Sequence, residues 1–267
     1  ISATGWENDI NLSHLLVGSE GTLAYSAAIE LKLSPLSAPK IMALCHFTSF
    51  YAAMDAVQYF VALDPITVEL IDQIMISLAR SIPVFKSTVD DYIRNDPGAV
   101  LVVEFAEEDW AKNLAKIDQL QAVMAQLSDA QTDQPRQIMR AEEAVVVITP
   151  PDQQARISEM RKSGLNIMMS MKSEAKPVSF VEDCAVPLQD LAEYTQGLTE
   201  IFEKYGTSGT WYAHASVGCL HVRPVLNMKL SADVQKMKSI ATEAFQLVKK
   251  YGGSHSGEHG DGLSRSE

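Results

Sequence analysis

Basic side chains are in short supply in this sequence. Lys and Arg number 22 against 34 Asp and Glu, which leaves a net charge of -12 at neutral pH. Nucleic-acid binding is driven by Lys and Arg that neutralise phosphates and release counterions, so this balance argues against a nucleic-acid partner and for small substrates or protein partners. Long apolar runs are missing too. "IMALC" and "NIMMSM" fall far short of the roughly 20 residues of a membrane span, and no transmembrane segment is expected. Cysteine is sparse: Cys45, Cys184 and Cys219 are widely spaced with no CxxC pair, which gives no zinc or iron-sulfur motif and fits a reducing, cytoplasmic setting. Ile1 is preceded by neither a Met nor a signal-peptide pattern, and the chain stops at "GLSRSE" just after a Gly-rich loop. Both ends read as those of a fragment cut from a longer protein.

What is present is a 46% hydrophobic chain of 267 residues, long enough to bury a full-sized core as one large domain or two smaller ones. Short β-rich runs alternate with amphipathic stretches. Strands are expected at 41–47, 66–71, 99–105 and 144–149, with helices at 50–63 and 109–127, the latter presenting Leu114, Ile117, Leu120 and Met124 on one face. Two β-α-β halves in sequence predict an α+β fold, a ferredoxin-like split β-α-β arrangement whose antiparallel sheet is covered on one side by helices. The second half adds a helix near 153–170, a strand at "PVSFVEDCAV" and a helix from Leu188 to Tyr205. A last helix from Ser231 to Tyr251 has Ser231 as its expected N-cap, Val234, Met237, Ile240, Ala244, Phe245 and Val248 as its buried stripe, and Gly252-Gly253 as its stop. The polar, Pro-containing stretch 128–139 is the expected linker, and no internal repeat stands out.

The stretch "WYAHASVGCLHVRP" (211–224) carries two histidines seven residues apart. A tight turn centred on Val217-Gly218 would set His214 opposite His221, with Gly218 taking the positive φ. Opposed residues of an antiparallel pair have Cβ atoms about 4.5–5.5 Å apart on one face, close enough for two imidazoles to reach one divalent metal. An ordinary polar pair in a sheet has the same spacing. Further donors stand in "GGSHSGEHGDG" (252–262), where Glu258 and His259 sit in a glycine-rich loop. Two imidazoles and a carboxylate form the His2Glu set of a catalytic metal site, and an additional unligated His can take a proton at neutral pH. The alternative is a surface loop with spare polar residues.

Four blocks together resemble the FAD-linked D-2-hydroxyacid dehydrogenases, a family that includes flavin-dependent D-lactate dehydrogenase, D-2-hydroxyglutarate dehydrogenase and the glycolate oxidase flavin subunit. They are "LLVGSEGTLA" (15–24), "PVSFVEDCAVP" (177–187), "YAHASVGCLHVRP" (212–224) and "SGEHGDGLSRS" (256–266). The resemblance implies residues 1–35 as the C-terminal remnant of an FAD-binding domain and 36–267 as a substrate-binding cap domain. It implies that His214, His221 and Glu258 hold a divalent cation (Zn, Mn or Fe) that chelates the substrate's carboxylate and hydroxyl oxygens. His259 would accept the hydroxyl proton while the α-hydride goes to flavin N5. Arg161 falls where relatives grip the substrate carboxylate, although a solvated helix-face arginine is an equal reading, and Arg223 would face a second carboxylate. Gly18, Ser19, Gly21 and Thr22 would approach the FAD.

The whole enzyme would oxidise a D-2-hydroxy acid to the 2-oxo acid and pass electrons to a quinone, a cytochrome or an iron-sulfur module. Such a module follows in longer relatives, beyond Glu267. A homodimer, and a place in the cytoplasm or at the inner face of the membrane, are compatible with this. The fragment alone would bind FAD poorly and be catalytically silent. One departure stands out: relatives' GDGN between the histidines is SVGC here, with Val217 and Cys219 replacing Asp and Asn, which puts the hydrogen bonds behind the metal ligands in question. Two other readings stay open: the same flavoprotein fold with transferase chemistry, like alkylglycerone-phosphate synthase, or a non-catalytic metal-binding or interaction domain.

Overall fold

The computed structural model describes residues 12–19, 21–33, 36, 38–129 and 144–260. It divides into two compact units, residues 1–36 and 37–267. In the first, helix α1 (Leu12–Val17) leads into a turn, and apolar side chains including Leu15, Leu16, Tyr25, Leu31 and Leu33 are exposed.

The second unit is built on an antiparallel sheet. Strands β1 (Ile41–Phe47), β2 (Thr67–Asp72), β3 (Ala99–Phe105) and β4 (Val145–Ile148) lie in the order β4-β1-β3-β2. β3 separates β1 from β2 and β1 separates β3 from β4, each neighbour antiparallel. These are two interlocked split β-α-β units, with α2 (Phe50–Val61) and α5 (Trp110–Asp129) as the crossings. Ser49 caps α2 by accepting the Ala52 N–H at 3.2 Å. Helix α5 runs through the start of the expected linker, and the rest of that linker lies outside the described residues.

Helices cover both faces of the sheet rather than one. Ile41, Ala43, Cys45 and Phe47 pack with α2 and α5. Met42 and Leu44 point the other way, against α3 (Gln73–Ser81), α4 (Pro83–Tyr92) and α6 (Pro151–Lys162). The reason is visible in the strands: "IMALCHF" and "AVLVVEF" do not alternate, and every residue of both is buried, as in strands enclosed on both faces.

The sheet continues through β7 (Gly209–His214) and β8 (Cys219–Leu226) to the short β5 (Lys176–Pro177), giving the order β4-β1-β3-β2-β7-β8-β5. The β2–β7 joint is short, pairing Leu70 with Ala213 and Ile71 with Tyr212. Buried Asp72 reinforces it: one carboxylate oxygen caps α3 through the Met75 N–H at 2.7 Å and the other accepts the Trp211 N–H at 2.9 Å.

Two expected elements and one expected cap differ. The 153–170 helix breaks at Ser163 into α6 and α7 (Gly164–Met169). The "PVSFVEDCAV" strand survives only as β5 (Lys176–Pro177) and β6 (Cys184–Ala185), because the chain leaves the sheet between them and Asp183 takes a φ of 79°. Helix α8 (Leu191–Lys204) and α9 (Ser231–Lys250) follow expectation. Ser231, however, does not cap α9: Leu230 holds that position without a side-chain bond, and Asp233 accepts the Asn227 N–H at 2.9 Å. The helix stripe is buried at Ile240, Ala244 and Val248, while Val234 is exposed. The stop at Gly252 is as expected, with φ 64° and its N–H on the Lys249 carbonyl at 3.0 Å.

Candidate active site

The histidine hairpin closes differently from a two-residue turn. Residues Ala215–Val217 form a 3-10 turn, and Gly218 follows at φ 67°. A Cβ at Gly218 would overlap the Val186 carbonyl oxygen, so both the conformation and the close approach require glycine. The connection therefore spans four residues. His214 pairs with Cys219 and His221 with Tyr212, so the two histidines are diagonal neighbours and not directly opposed. A register shift of two residues keeps a side chain on its face, and the two rings stand 5.2 Å apart, edge to face.

The segment after α9 is fastened next to this hairpin. Ser254 bridges Ala185 through N–H···O bonds of 2.8 and 2.9 Å. Asp183 then accepts the backbone N–H of Glu258 at 2.9 Å and of His259 at 2.8 Å. This puts Glu258 Oε1 at 3.0 Å from His221 Nε2, 3.2 Å from His259 Nε2 and 3.5 Å from His214 Nε2. The His259 ring stacks on His221 at 4.9 Å.

Around this cluster lies an open cavity of about 240 Å³, whose walls include Arg161, Tyr212, His214, His221, Arg223, Glu258 and His259. The structure thus brings together all six of the catalytic, substrate and metal candidates of the second unit. Glu69, from the middle of β2, faces His214 Nδ1 at 3.1 and 3.2 Å and also pairs with Arg161. That hydrogen bond raises the His214 pKa, against the opposing effect of burial. Arg161 lies over the Tyr212 ring, 4.4 Å from its centroid. Arg223 is paired with Glu182. Burial, and then the charge of His214, lower the pKa of His221.

Residues 36–267 match the family of FAD linked oxidases, C-terminal domain. The chain belongs to this family. Among curated FAD-linked relatives it is 34% identical to a D-2-hydroxyglutarate dehydrogenase of Pseudomonas putida, over 96% of the chain and 25% of that protein. It is 31% identical to the enzyme of the same name from Escherichia coli, again over 96% and 25%. A D-lactate dehydrogenase of Archaeoglobus fulgidus is 27% identical over 94% of the chain and 50% of its own length. The chain therefore spans about a quarter to a half of these relatives. Among solved structures, a 4-ethylphenol oxidase of Gulosibacter chungangensis superposes with a TM-score of 0.54 at 8% identity, over 82% of this chain and 45% of that one. An alkyldihydroxyacetonephosphate synthase gives 0.52 at 18%, over 92% and 45%. These two likenesses concern the fold alone.

The donor set of this FAD-linked oxidase domain fits a divalent cation. Metal–ligand bonds of about 2.0–2.2 Å place neighbouring ligands roughly 3.0–3.5 Å apart, the spacing seen around Glu258 Oε1. His214 also has the carboxylate behind its second nitrogen that metal-bound imidazoles usually have. The ligand atoms of His221, Glu258, His259 and Asp183 lie within 4.8 Å of one another, a compact group that includes His259 and leaves out the expected ligand His214; the Asp183 oxygens are filled by the loop N–H groups, the Ser256 hydroxyl at 2.9 Å and the Cys219 thiol at 3.4 Å. Burial pushes its pKa up, and these hydrogen bonds outweigh that and hold it below the usual carboxylate range. It stands behind the donors and is not one of them.

The four residues expected near FAD belong to the first unit. Ser19 and Thr22 direct their hydroxyls to their own turn, onto the Leu16 and Ser19 carbonyls at 2.8 and 2.6 Å. Gly18 is exposed, and Gly21, at φ 78°, has open space around it. Among the described residues of that unit they lie together in one turn. Sequence reasoning missed Glu69, Asp183, Glu182 and Tyr212. A usable signal existed for Glu69, a carboxylate interrupting the apolar run "ITVELI".

Proposed function

We propose that this chain is the substrate-binding cap of a flavin-dependent dehydrogenase that oxidises a D-2-hydroxy acid to the 2-oxo acid, with residues 1–35 as the end of its FAD-binding domain. The observation that carries this reading is the convergence of three imidazoles on Glu258 in a cavity walled by two arginines. The names of the curated relatives point the same way. Bound by His214, His221 and Glu258, a divalent cation (Zn, Mn or Fe) supplies a Lewis acid for the substrate's hydroxyl and carboxylate oxygens, and FAD supplies the hydride acceptor.

The chain's own residues do the rest. Glu69 fixes the His214 ring so that Nε2 faces the donor cluster. Arg161 lines the cavity with its guanidinium held by Glu69, where it would face a substrate carboxylate. Arg223 offers a second guanidinium from β8, for a substrate with a second carboxylate. His259 Nε2 takes the hydroxyl proton. Electrons leave to a quinone, a cytochrome or an iron-sulfur module.

The test is elemental analysis of the full-length protein and of its His214→Ala/His221→Ala variant, followed by anaerobic addition of D-lactate, D-2-hydroxyglutarate and glycolate while the flavin absorbance is followed. Near-stoichiometric Zn, Mn or Fe that is lost in the variant, together with bleaching by at least one acid in the wild type, is the expected result. No metal even after add-back would end the chelation reading. Metal without bleaching by any 2-hydroxy acid would end the dehydrogenase reading.

A further inference from the structure

We infer that Asp183 is the positioning residue of this site: its buried carboxylate clamps the segment 256–259 and thereby sets Glu258 and His259 against the histidine hairpin. The inference rests on the metal-site reading above and adds a residue to it that neither touches substrate nor binds the cation.

Asp183 sits where β6 begins, next to Cys184, which pairs with Leu220 on β8. Its own N–H donates to the Leu220 carbonyl at 2.9 Å, so its backbone is tied to the strand that carries His221. Its φ of 79° lies in the left-handed region, uncommon for a residue other than glycine and more tolerable for Asp and Asn. That conformation turns both the side chain and the carbonyl toward the last loop. The carbonyl accepts the Gly257 N–H at 2.6 Å. One carboxylate oxygen accepts the Glu258 N–H, and the other accepts the His259 N–H and the Ser256 hydroxyl at 2.8 and 2.9 Å.

Four consecutive loop residues are thus held by one aspartate that is 1% exposed. A glycine-rich segment has high conformational entropy when free, so a carboxylate-bearing loop of this kind presents its donors reproducibly only if something fixes its backbone. The Ala185–Ser254 bridge fixes one end. Asp183 fixes the part that carries the chemistry.

Asp183→Asn tests this in the full-length protein. Asn tolerates the same φ but keeps one acceptor oxygen and turns an NH2 toward an N–H. Three quantities are read: amide exchange of residues 257–259, the affinity for Zn, Mn and Fe measured by dialysis and elemental analysis, and the melting temperature. The Gly257 amide, which donates to the main-chain carbonyl, is an internal control. The expected result is exchange at Glu258 and His259 faster by about tenfold or more, with Gly257 less affected, and metal affinity lower by about 10–100-fold, while the melting temperature shifts by only a few degrees.

Ser256→Ala, which removes a single donor, gives the same changes on a smaller scale and serves if the Asn variant does not fold. Unaltered exchange at Glu258 and His259 overturns the clamp. Faster exchange with metal affinity within about twofold of wild type overturns the positioning role and leaves Asp183 a structural residue. If the wild type takes up no metal, the metal reading has failed on its own, and kcat then decides: a fall in kcat at unchanged KM supports positioning, and an unchanged kcat overturns it.

Discussion

The two halves of the sheet are built on different terms. In β4-β1-β3-β2 the central strands β1 and β3 are buried at every position and packed on both faces. In β7 and β8 buried apolar residues alternate with His214, His221 and Arg223, and the neighbouring β5 and β6 are two residues long. The first half is held by burial of apolar surface, which is non-directional and tolerant of small shifts. The second half holds paired charges in an open cavity, where the exact partner matters more than the area buried. The lesson is a division of labour along a single sheet, with Asp72 fastening the halves and Glu69 carrying the influence of the first into the site.

The sharpest break in this comparison is a cavity in the apolar half. Leu101, fully buried on β3 between Cys45 and Leu70, should lose about 3–5 kcal/mol on replacement by Ala, read from urea unfolding. Metal affinity of the folded fraction should be unchanged. A parallel loss of metal affinity would show that the halves are not separable.

A smaller effect comes from two buried titrating groups that oppose each other. Burial raises the Asp72 carboxyl from 3.8 to about 6, so between roughly pH 4 and 6 the folded state binds a proton that the unfolded chain has lost, and this contribution to stability falls as pH rises. Burial lowers the His46 imidazole from 6.5 to about 4. Between those values the unfolded chain binds the proton, and stability rises with pH. His46→Gln removes only the rising arm. The stability advantage of wild type over this variant should therefore widen by about 2–3 kcal/mol from pH 4 to 6.5, and a constant difference would contradict the assignment.

The smallest expected effect sharpens the link between the halves. Glu69→Gln leaves the apolar packing alone but withdraws the charge shared by His214 and Arg161. Metal affinity should fall by about tenfold with little change in melting temperature. No change would mean that the first half supplies only a platform.

Much of the fold was legible in the sequence, since β1, β3, α2, α5 and the glycine stop of α9 follow from periodicity and punctuation. The unalternating runs of β1 and β3 also pointed to burial on both faces, yet the helices over residues 73–92 that provide the second cover were not assigned. The direct pairing of His214 with His221 failed because the connection takes four residues, with Gly218 packed against the Val186 carbonyl, a contact no local pattern records. The residues behind the site were hidden by distance along the chain: Glu69 reaches His214 across 145 positions, and Asp183 reaches Glu258 across 75.

The four-residue connection between β7 and β8 has a consequence for how relatives of this domain can vary in length. Side chains on a strand change face with every residue. With the turn unchanged, removing two residues would slide His221 opposite His214, whereas adding two would carry it opposite Thr210, on the same face but away from the other donors. A single-residue insertion that shifted β8 along β7 would turn His221 into the opposite layer and send Leu220 into the cavity. Where the site is kept, length variation at this hairpin should therefore be taken up within the turn with the β7–β8 pairing unchanged, a rule that aligned sequences can check without any experiment on the protein.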